Sequence, residues 1–153
     1  MPLALTVDVR EALVREARAA LPRECVGLVV GPRPGLGDAI VPLSNVAASD
    51  DAFAVDPLVH ATTRRAIRAA GRVVVGLYHS HAHASAALSR RDRAALVVDG
   101  APLFPDECAL VLGPVADESA LHVRAAEWSR EGFVDCPITW ISGGATIGSL
   151  RSA

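Results

Sequence analysis

Apolar residues recur at helical spacing in three segments of the chain. In the first, residues 9–21, they occupy every fourth position, and a proline ends the run. The second, residues 56–71, begins with an Asp-Pro pair, which suits a helix N-terminus, and ends at a glycine. The third, residues 89–98, begins with a serine three positions before an aspartate, the spacing of a helix cap. We therefore expect three amphipathic helices.

The apolar residues between these helices form short continuous runs instead. Residues 25–30 and 39–43 flank a loop rich in glycine and proline, which predicts a hairpin. Residues 73–78 are almost uninterruptedly apolar, as expected of a central strand that is buried on both faces. This order of elements predicts an α/β fold, a sheet layered by helices. Further strands are predicted at 108–112, 121–126 and 133–134.

Length and composition indicate one folded domain. The chain has 153 residues, of which 51% are hydrophobic, which is enough to form one complete core. Residues 138–153 are glycine-rich and weakly patterned. We therefore expect the domain to cover residues 1–137 and residues 138–153 to be a flexible C-terminal tail.

Charge and hydropathy argue against several classes of partner. The formal net charge is only -2 and the charged residues are interspersed, which does not suit nucleic-acid binding. No apolar run reaches the ~20 residues that cross a bilayer, and the N-terminal residues lack the basic stretch of a signal peptide. Cys25, Cys108 and Cys136 form no Cys-x-x-Cys pair, as expected of buried thiols. We expect a cytoplasmic protein with no membrane or nucleic-acid partner.

The residues with the strongest chemical pattern follow the central strand. His79-Ser80-His81 is separated by seven residues from Ser89-Arg90-Arg91-Asp92. Alternate side chains of a strand face the same side, so His79 and His81 project together. The intervening loop can return the chain so that Asp92 lies in the first turn of the third helix, where the helix dipole favours a carboxylate. Two imidazoles and one carboxylate leave a tetrahedral Zn²⁺ an open position, which predicts a catalytic zinc site.

Two further residues suit hydrolysis beside such a zinc. Ser89, the predicted N-cap of the third helix, lies within one turn of Asp92, so its hydroxyl can donate a hydrogen bond to an oxyanion. The attacking water also needs a base, and that base must be a carboxylate outside the ligand set. Glu24 is our candidate, on the expectation that the hairpin strand after it lies next to the central strand.

Taken together, Glu24, the His79-Ser80-His81 segment and Ser89-x-x-Asp92 resemble the JAMM (MPN-plus) metalloprotease family. The resemblance extends loosely over residues 6–134, and it includes Asn45 and the segment 53–57. It implies the mixed, cytidine-deaminase-like sheet of that family, layered by helices. It also implies a zinc-dependent hydrolase that cuts amide or isopeptide bonds at the C-terminus of ubiquitin-like proteins.

By this resemblance His79, His81 and Asp92 bind zinc. Glu24 is the general base and then the proton donor to the leaving amine, and Ser89 stabilises the oxyanion. One departure is visible, because bacterial members typically carry prolines in the loop after the histidine pair and residues 82–88 contain none. The departure leaves the ligands intact and affects the shape of the loop beside the substrate groove.

The chain shows no large insertion for gripping polyubiquitin, so the expected substrate is a ubiquitin-like sulfur-carrier protein with an amino acid or short peptide after its C-terminal Gly-Gly. Two alternatives stay open. One is a zinc hydrolase of small peptides or cell-wall fragments, and the other is a non-catalytic scaffold that binds a ubiquitin-like partner. A zinc deaminase is excluded because the Pro-Cys-x-x-Cys half of its motif is absent. The sequence does not indicate the carrier, the leaving residue or the oligomeric state.

Overall fold

Helices and strands follow one another in the order that the hydrophobic pattern predicts, with several short strands added. The computed structural model describes residues 2–130 and 132–143. In chain order the elements are β1 (Leu3–Thr6), α1 (Val7–Ala20), β2 (Val26–Gly31), β3 (Leu36–Gly37), β4 (Ala39–Leu43), α2 (Pro57–Ala69), β5 (Val73–Ser80), α3 (Arg90–Leu96), β6 (Val97–Val98), β7 (Ala101–Pro102), β8 (Cys108–Gly113), β9 (His122–Ser129), β10 (Gly132–Cys136) and β11 (Ile138–Ile141).

The main sheet has six strands in the order β10-β9-β8-β5-β2-β4. Strand β5 lies inside this sheet, antiparallel to β2 on one side and parallel to β8 on the other. The remaining neighbours pair in antiparallel fashion. The prediction of a central strand at 73–78 is therefore confirmed, as is the α/β class.

Two groups of buried side chains pack on the two faces of this sheet. On one face Leu13 of α1 and the strand β1 pack against residues that include Tyr78. On the other face Ile67 of α2 and Leu96 of α3 pack against residues that include Leu77. Consecutive residues of β5 thus point into opposite layers, as the pleat of a strand requires. The helices layer the sheet on both faces, and β5 is enclosed between them.

The third helix is shorter than the sequence pattern predicts. Residues 97–98 leave the helix and form β6, which pairs with β7 across Asp99 and Gly100. Both of these turn residues have positive φ, 51° and 76°. An Asp-Gly pair between β-branched and apolar residues is the usual sequence of a tight two-residue hairpin, and this preference overrides the helical period.

The first helix begins earlier than predicted. Its N-cap is Thr6, whose Oγ1 accepts a hydrogen bond from the backbone N of Val9 at 3.3 Å. Residues 3–6 before it form β1, a strand that the sequence pattern does not predict. The second helix is capped by Asp56 with Pro57 at its first position, as predicted.

The predicted C-terminal tail contains a strand. Ile138–Ile141 form β11, which pairs in parallel with β1, and Ile138 and Trp140 pack against the core. The alternation of these two apolar side chains is a short strand pattern, and β1 supplies the free edge that it needs. These four residues therefore belong to the folded domain rather than to a tail. Residues 144–153 of the predicted tail lie outside the described residues.

No helix in the described part of the chain is long and apolar enough to cross a membrane.

We predict that Gly76→Ala lowers the free energy of unfolding by about 2–3 kcal/mol, because a methyl group at this position of β5 overpacks the sheet. A Cβ there would lie 2.6 Å from the backbone carbonyl oxygen of Cys108 on β8. Gly132→Ala is the control, since its Cβ would meet nothing within 4 Å. Urea unfolding measures both variants, and equal losses of stability would contradict this account of the β5–β8 contact.

Candidate metal centre

The sheet places Glu24 next to the histidine pair. In the pairing of β2 with β5, Val26 lies opposite His79. One residue further along, the backbone N of Ser80 donates a hydrogen bond to the carbonyl oxygen of Cys25 at 3.2 Å. Glu24 directly precedes Cys25 and so lies beside the end of β5. The sheet topology therefore places Glu24 next to the histidine pair, as expected.

His81 lies just beyond β5 and is held by the other neighbouring strand. Its backbone N donates to the carbonyl oxygen of Leu112 on β8 at 2.7 Å, and its own carbonyl oxygen accepts from the N of Val115 at 2.9 Å. The extended backbone therefore continues past Ser80. As a result His79 and His81 keep the spacing of alternate strand residues.

Asp92 is positioned by the cap of α3. Ser89 is the N-cap, and its Oγ accepts a hydrogen bond from the backbone N of Asp92 at 3.0 Å. In return the Asp92 Oδ2 accepts from the backbone N of Ser89 at 2.8 Å. This reciprocal capping box fixes the Asp92 side chain over the N-terminus of the helix.

Three electron-rich atoms meet in the interior at this point. The Nε2 atoms of His79 and His81 are 3.2 Å apart, and they lie 3.1 and 3.0 Å from the Oδ2 of Asp92. With a carboxylate oxygen of Glu24 they form a buried group whose atoms all lie within 4.8 Å of one another. The four side chains that sequence analysis assigns to the metal site and to its base are thus brought together.

The hydrogen bonding of His81 shows what this cluster can hold. Its Nδ1 lies 2.8 Å from the carbonyl oxygen of Ser85, which can only accept, so Nδ1 carries a proton. In the neutral imidazole the Nε2 then presents a lone pair to the Asp92 carboxylate at 3.0 Å. Two facing lone pairs need a cation between them. Zn–N and Zn–O bonds of about 2.0–2.1 Å in a tetrahedron place neighbouring ligand atoms about 3.3 Å apart, so the residues fit zinc.

Burial and hydrogen bonding also set the charges that a metal requires. Although burial opposes its ionisation, hydrogen bonds with His79 and His81 hold the pKa of Asp92 well below its usual range. Burial lowers the pKa of His79, which keeps its imidazole neutral. Burial also acts to lower the pKa of His81, but hydrogen bonds to Asp92 and to the Ser85 carbonyl raise it overall. A proton and a metal ion therefore compete for the Nε2 of His81.

Glu24 has the properties of a base held beside the ligands. Its side chain is 3% exposed, and its Oε1 has no hydrogen-bond partner within the described part of the chain. Burial raises the pKa of the Glu24 carboxyl to about 7, helped by the charge of Asp92 and opposed by that of His81. A carboxyl with a pKa near neutrality can accept a proton and return it at physiological pH.

The cluster opens into a cleft of about 680 Å³. Glu24, His81 and Ser89 line it, which places the N-cap hydroxyl on the same cavity as the base and a ligand. Arg91 and Asp51 stand at its edge and form an exposed ion pair of 3.3 Å, an interaction of little energetic weight. The cleft therefore connects the buried cluster with the protein surface.

Two further side chains, to which the sequence pattern assigns no role, shape the site. Phe53 stacks on the imidazole of His79, with ring centroids 4.4 Å apart and an interplanar angle of 29°. Ser80, between the two histidines, accepts a hydrogen bond from the backbone N of Cys25 on its Oγ at 2.8 Å. The pattern of the sequence shows that Ser80 faces away from the histidines, but it does not show what Ser80 meets there.

The chain belongs to the prokaryotic homologs of the JAB domain, whose family pattern matches residues 6–130. The chain is a small prokaryotic member of the JAMM type, and the family resemblance drawn from Glu24, the histidine pair and Ser89-x-x-Asp92 is confirmed.

Two relatives share part of this sequence. A probable TtuB-protein conjugate cleaving protease of Thermus thermophilus is 36% identical over 93 residues, which cover 60% of this chain and 59% of the relative. The desampylase of Haloferax volcanii is 34% identical over 97 residues, which cover 60% of this chain and 70% of the relative. The similarity thus spans less than two thirds of the length of the Thermus protein.

Solved structures confirm the fold. The solution structure of a Desulfitobacterium hafniense protein has a TM-score of 0.78 and 26% identity, and the alignment covers 92% of this chain and 94% of that one. The crystal structure of a JAB1/MPN domain protein from Archaeoglobus fulgidus has a TM-score of 0.54 and 18% identity, with 90% and 98% covered. The mixed sheet layered by helices is therefore that of a JAB1/MPN domain.

We predict that the metal-free protein binds one zinc ion, and that Asp92→Asn weakens this binding more than about 10-fold, since even partners outside the ligand shell contribute that much. Isothermal titration with zinc after treatment with a chelator measures the affinity. Asp51→Asn is the matched control, because this exposed carboxylate lines the same cleft without joining the cluster. Equal affinities for the Asp92→Asn variant and the native protein would show that the cluster is not the zinc site.

Proposed function

We propose that this chain is a zinc metallopeptidase that hydrolyses the amide bond after the C-terminal Gly-Gly of a ubiquitin-like sulfur-carrier protein in the cytoplasm. The observation that carries the proposal is the buried cluster, in which the Glu24 carboxyl lies beside three facing ligand atoms and its Oε1 has no hydrogen-bond partner among the described residues. Membership of the JAB family supports the class of reaction. The zinc ion, the diglycine and the carrier are parts of the proposal.

In this proposal His79, His81 and Asp92 hold the metal. A zinc ion bound there would polarise the scissile carbonyl and make a water molecule more acidic. The reciprocal hydrogen bonds between Ser89 and Asp92 keep the carboxylate aimed at the histidines. Because the carboxylate is ionised and His79 is neutral, the ligands are ready to bind a cation without first losing a proton at those two residues.

Glu24 takes the proton from the attacking water in this mechanism and then delivers it to the leaving amine. Both transfers require a carboxyl close to the reacting atoms, and burial, which raises the pKa of Glu24, favours its taking up a proton. Since Oε1 makes no hydrogen bond to the described residues, the base has no competing partner to give up before it acts.

Ser89 stabilises the oxyanion that develops on the scissile carbonyl. Its Oγ accepts the N–H of Asp92, which leaves its own proton available for donation into the cleft that Ser89 lines. A donor fixed in advance by a helix cap needs little rearrangement during the reaction, which is how such groups lower a barrier.

The substrate class rests on the cleft and on the relatives. An open cleft of about 680 Å³ leads to the cluster, so an extended chain segment has access to it. The Thermus relative is named for cleaving TtuB-protein conjugates, and the Haloferax relative is named a desampylase. Cleavage of a conjugate of a ubiquitin-like protein fits both names, and a diglycine has no side chains that the cleft would have to accommodate.

We predict that the zinc-loaded protein removes the residue after Gly-Gly from a sulfur-carrier protein ending in Gly-Gly-Cys, and that Glu24→Gln slows this reaction about 10²–10⁴-fold. The variant keeps the shape of the side chain and loses the base, so its zinc content should be unchanged. Intact-mass spectrometry of the carrier over time measures the loss of the terminal residue. Glu118→Gln, on an exposed residue paired with Arg18, is the control.

The other outcomes test the mechanism and distinguish the proposed function from its two alternatives. Full activity of Glu24→Gln would show that the mechanism is wrong. An inactive wild-type protein that still cleaves a free dipeptide would favour the small-peptide hydrolase. Zinc-free wild-type protein that binds the carrier without cutting it, even after zinc addition, would favour the scaffold.

A further inference from the structure

We propose that Ser80 and Asn45 are positioning residues that orient Glu24 through hydrogen bonds to the peptide unit that follows it. The inference rests on the proposed function, in which Glu24 is the base. Neither residue touches the substrate or the ligand atoms in this account. Both act through the backbone of Glu24.

Side chains hold both polar groups of one peptide unit. The carbonyl oxygen of Glu24 accepts a hydrogen bond from the Nδ2 of Asn45 at 2.9 Å. The N–H of Cys25, at the other end of the same unit, donates to the Oγ of Ser80 at 2.8 Å. A peptide unit is planar and rigid, so two bonds from opposite sides fix its orientation. That orientation determines where the Cα of Glu24 lies and where its side chain is directed.

Glu24 needs such support at its backbone because no described residue forms a hydrogen bond with its carboxyl Oε1. The Oε1 is buried and has no hydrogen-bond partner among the described residues. A base must lack strong partners to remain reactive, yet it must stay within hydrogen-bond reach of the water that it deprotonates. Support from the backbone satisfies both requirements. Ser80 is 1% exposed, so water does not compete for its hydroxyl.

Ser80 also couples the base to the metal ligands. It is the last residue of β5, between His79 and His81 in the sequence, and the pleat turns it away from them toward Cys25. Its backbone N and its Oγ bind the carbonyl oxygen and the N–H of Cys25 at 3.2 and 2.8 Å. Any shift of the end of β5 therefore moves the histidines and the base together.

Asn45 makes the second connection through all of its side-chain hydrogen-bonding groups. Besides the bond to Glu24, its Nδ2 donates to the carbonyl oxygen of Ala52 at 3.0 Å. Its Oδ1 accepts from the backbone N of Ala47 and of Ala54 at 3.0 and 3.1 Å. One amide thus closes the loop 45–54 and ties it to the backbone of Glu24.

The loop that Asn45 closes also contributes an aromatic side chain to the metal centre. Phe53 belongs to this loop, and its ring stacks on the imidazole of His79. With one set of hydrogen bonds Asn45 therefore positions both Glu24 and the Phe53 ring that covers His79. Ser80 and Asn45 together hold the backbone of Glu24. Through β5 and the loop 45–54 they also link it to the metal-binding histidines.

The test is the steady-state kinetics of zinc-loaded Ser80→Ala on the Gly-Gly-Cys carrier. We expect kcat to fall about 10–100-fold, with KM and zinc content unchanged, because a supporting group lost near a reacting base has effects of this size. The solvent deuterium isotope effect on kcat should rise, since proton transfer by a misplaced Glu24 limits the rate. Ser80→Thr keeps the hydroxyl and should recover most of the activity.

Thr6→Ala is the matched control. Thr6 is also buried, and its hydroxyl also accepts a backbone N–H, that of Val9, but it lies at the cap of α1. Its loss should lower the melting temperature without changing the isotope effect. If Ser80→Ala does not fold, Asn45→Asp provides the same test, because it keeps the oxygen acceptor and loses the donor to Glu24.

Unchanged kcat in Ser80→Ala would overturn the positioning role. An activity loss that follows the unfolded fraction, with the isotope effect of the native protein, would also overturn it. Glu24→Gln separates this failure from that of the proposed function. An inactive Glu24→Gln beside a fully active Ser80→Ala removes only the positioning role, whereas an active Glu24→Gln removes the base and the proposal that depends on it.

Discussion

The close approach of three buried metal-binding atoms is the constraint on which the rest of this structure depends. The Nε2 atoms of His79 and His81 and the Oδ2 of Asp92 lie 3.0–3.2 Å apart inside the protein, where no bulk water screens them. Such an arrangement is stable only with a cation or a proton in the middle. Strand β5, its neighbour β8 and the cap of α3 hold the three atoms in these positions. The free-energy cost of bringing the atoms together is therefore offset by the stability of the whole sheet.

The order of strands in the sheet brings a carboxyl and a hydroxyl beside this cluster. Because β2 and β8 flank β5, one neighbour delivers Glu24 and the other extends the backbone of His81 beyond the end of β5. Helix α3 returns over the same end and brings Asp92 and Ser89. The proposed ligands, base and oxyanion donor therefore come from three separate parts of the chain, the residues before β2, the end of β5 and the start of α3, and each adjoins a regular element. A site assembled in this way is rigid enough for chemistry that depends on the placement of a single carboxyl.

Local patterns in the sequence predicted much of this arrangement, and their limits have physical causes. The alternation at His79 and His81 and the Ser89-x-x-Asp92 cap are local features, which sequence reveals directly. The strand β11 was missed because four residues in a glycine-rich segment carry a weak pattern, and only the edge of β1 makes them a strand. The roles of Asn45 and Ser80 depend on contacts that are distant in the sequence. Asn45 contacts Glu24, 21 positions away, and Ser80 contacts Cys25, 55 positions away. No local pattern encodes such contacts.

Diffraction from crystals of the zinc-loaded protein, recorded on both sides of the zinc absorption edge, tests the central claim most directly. We expect one anomalous peak in the cluster, within about 2.0–2.2 Å of the two Nε2 atoms and of the Asp92 carboxylate. We also expect the Glu24 carboxyl to lie beside this peak without binding the metal. An empty cluster would contradict the metal site, and a zinc ion bound by Glu24 would contradict its role as the base.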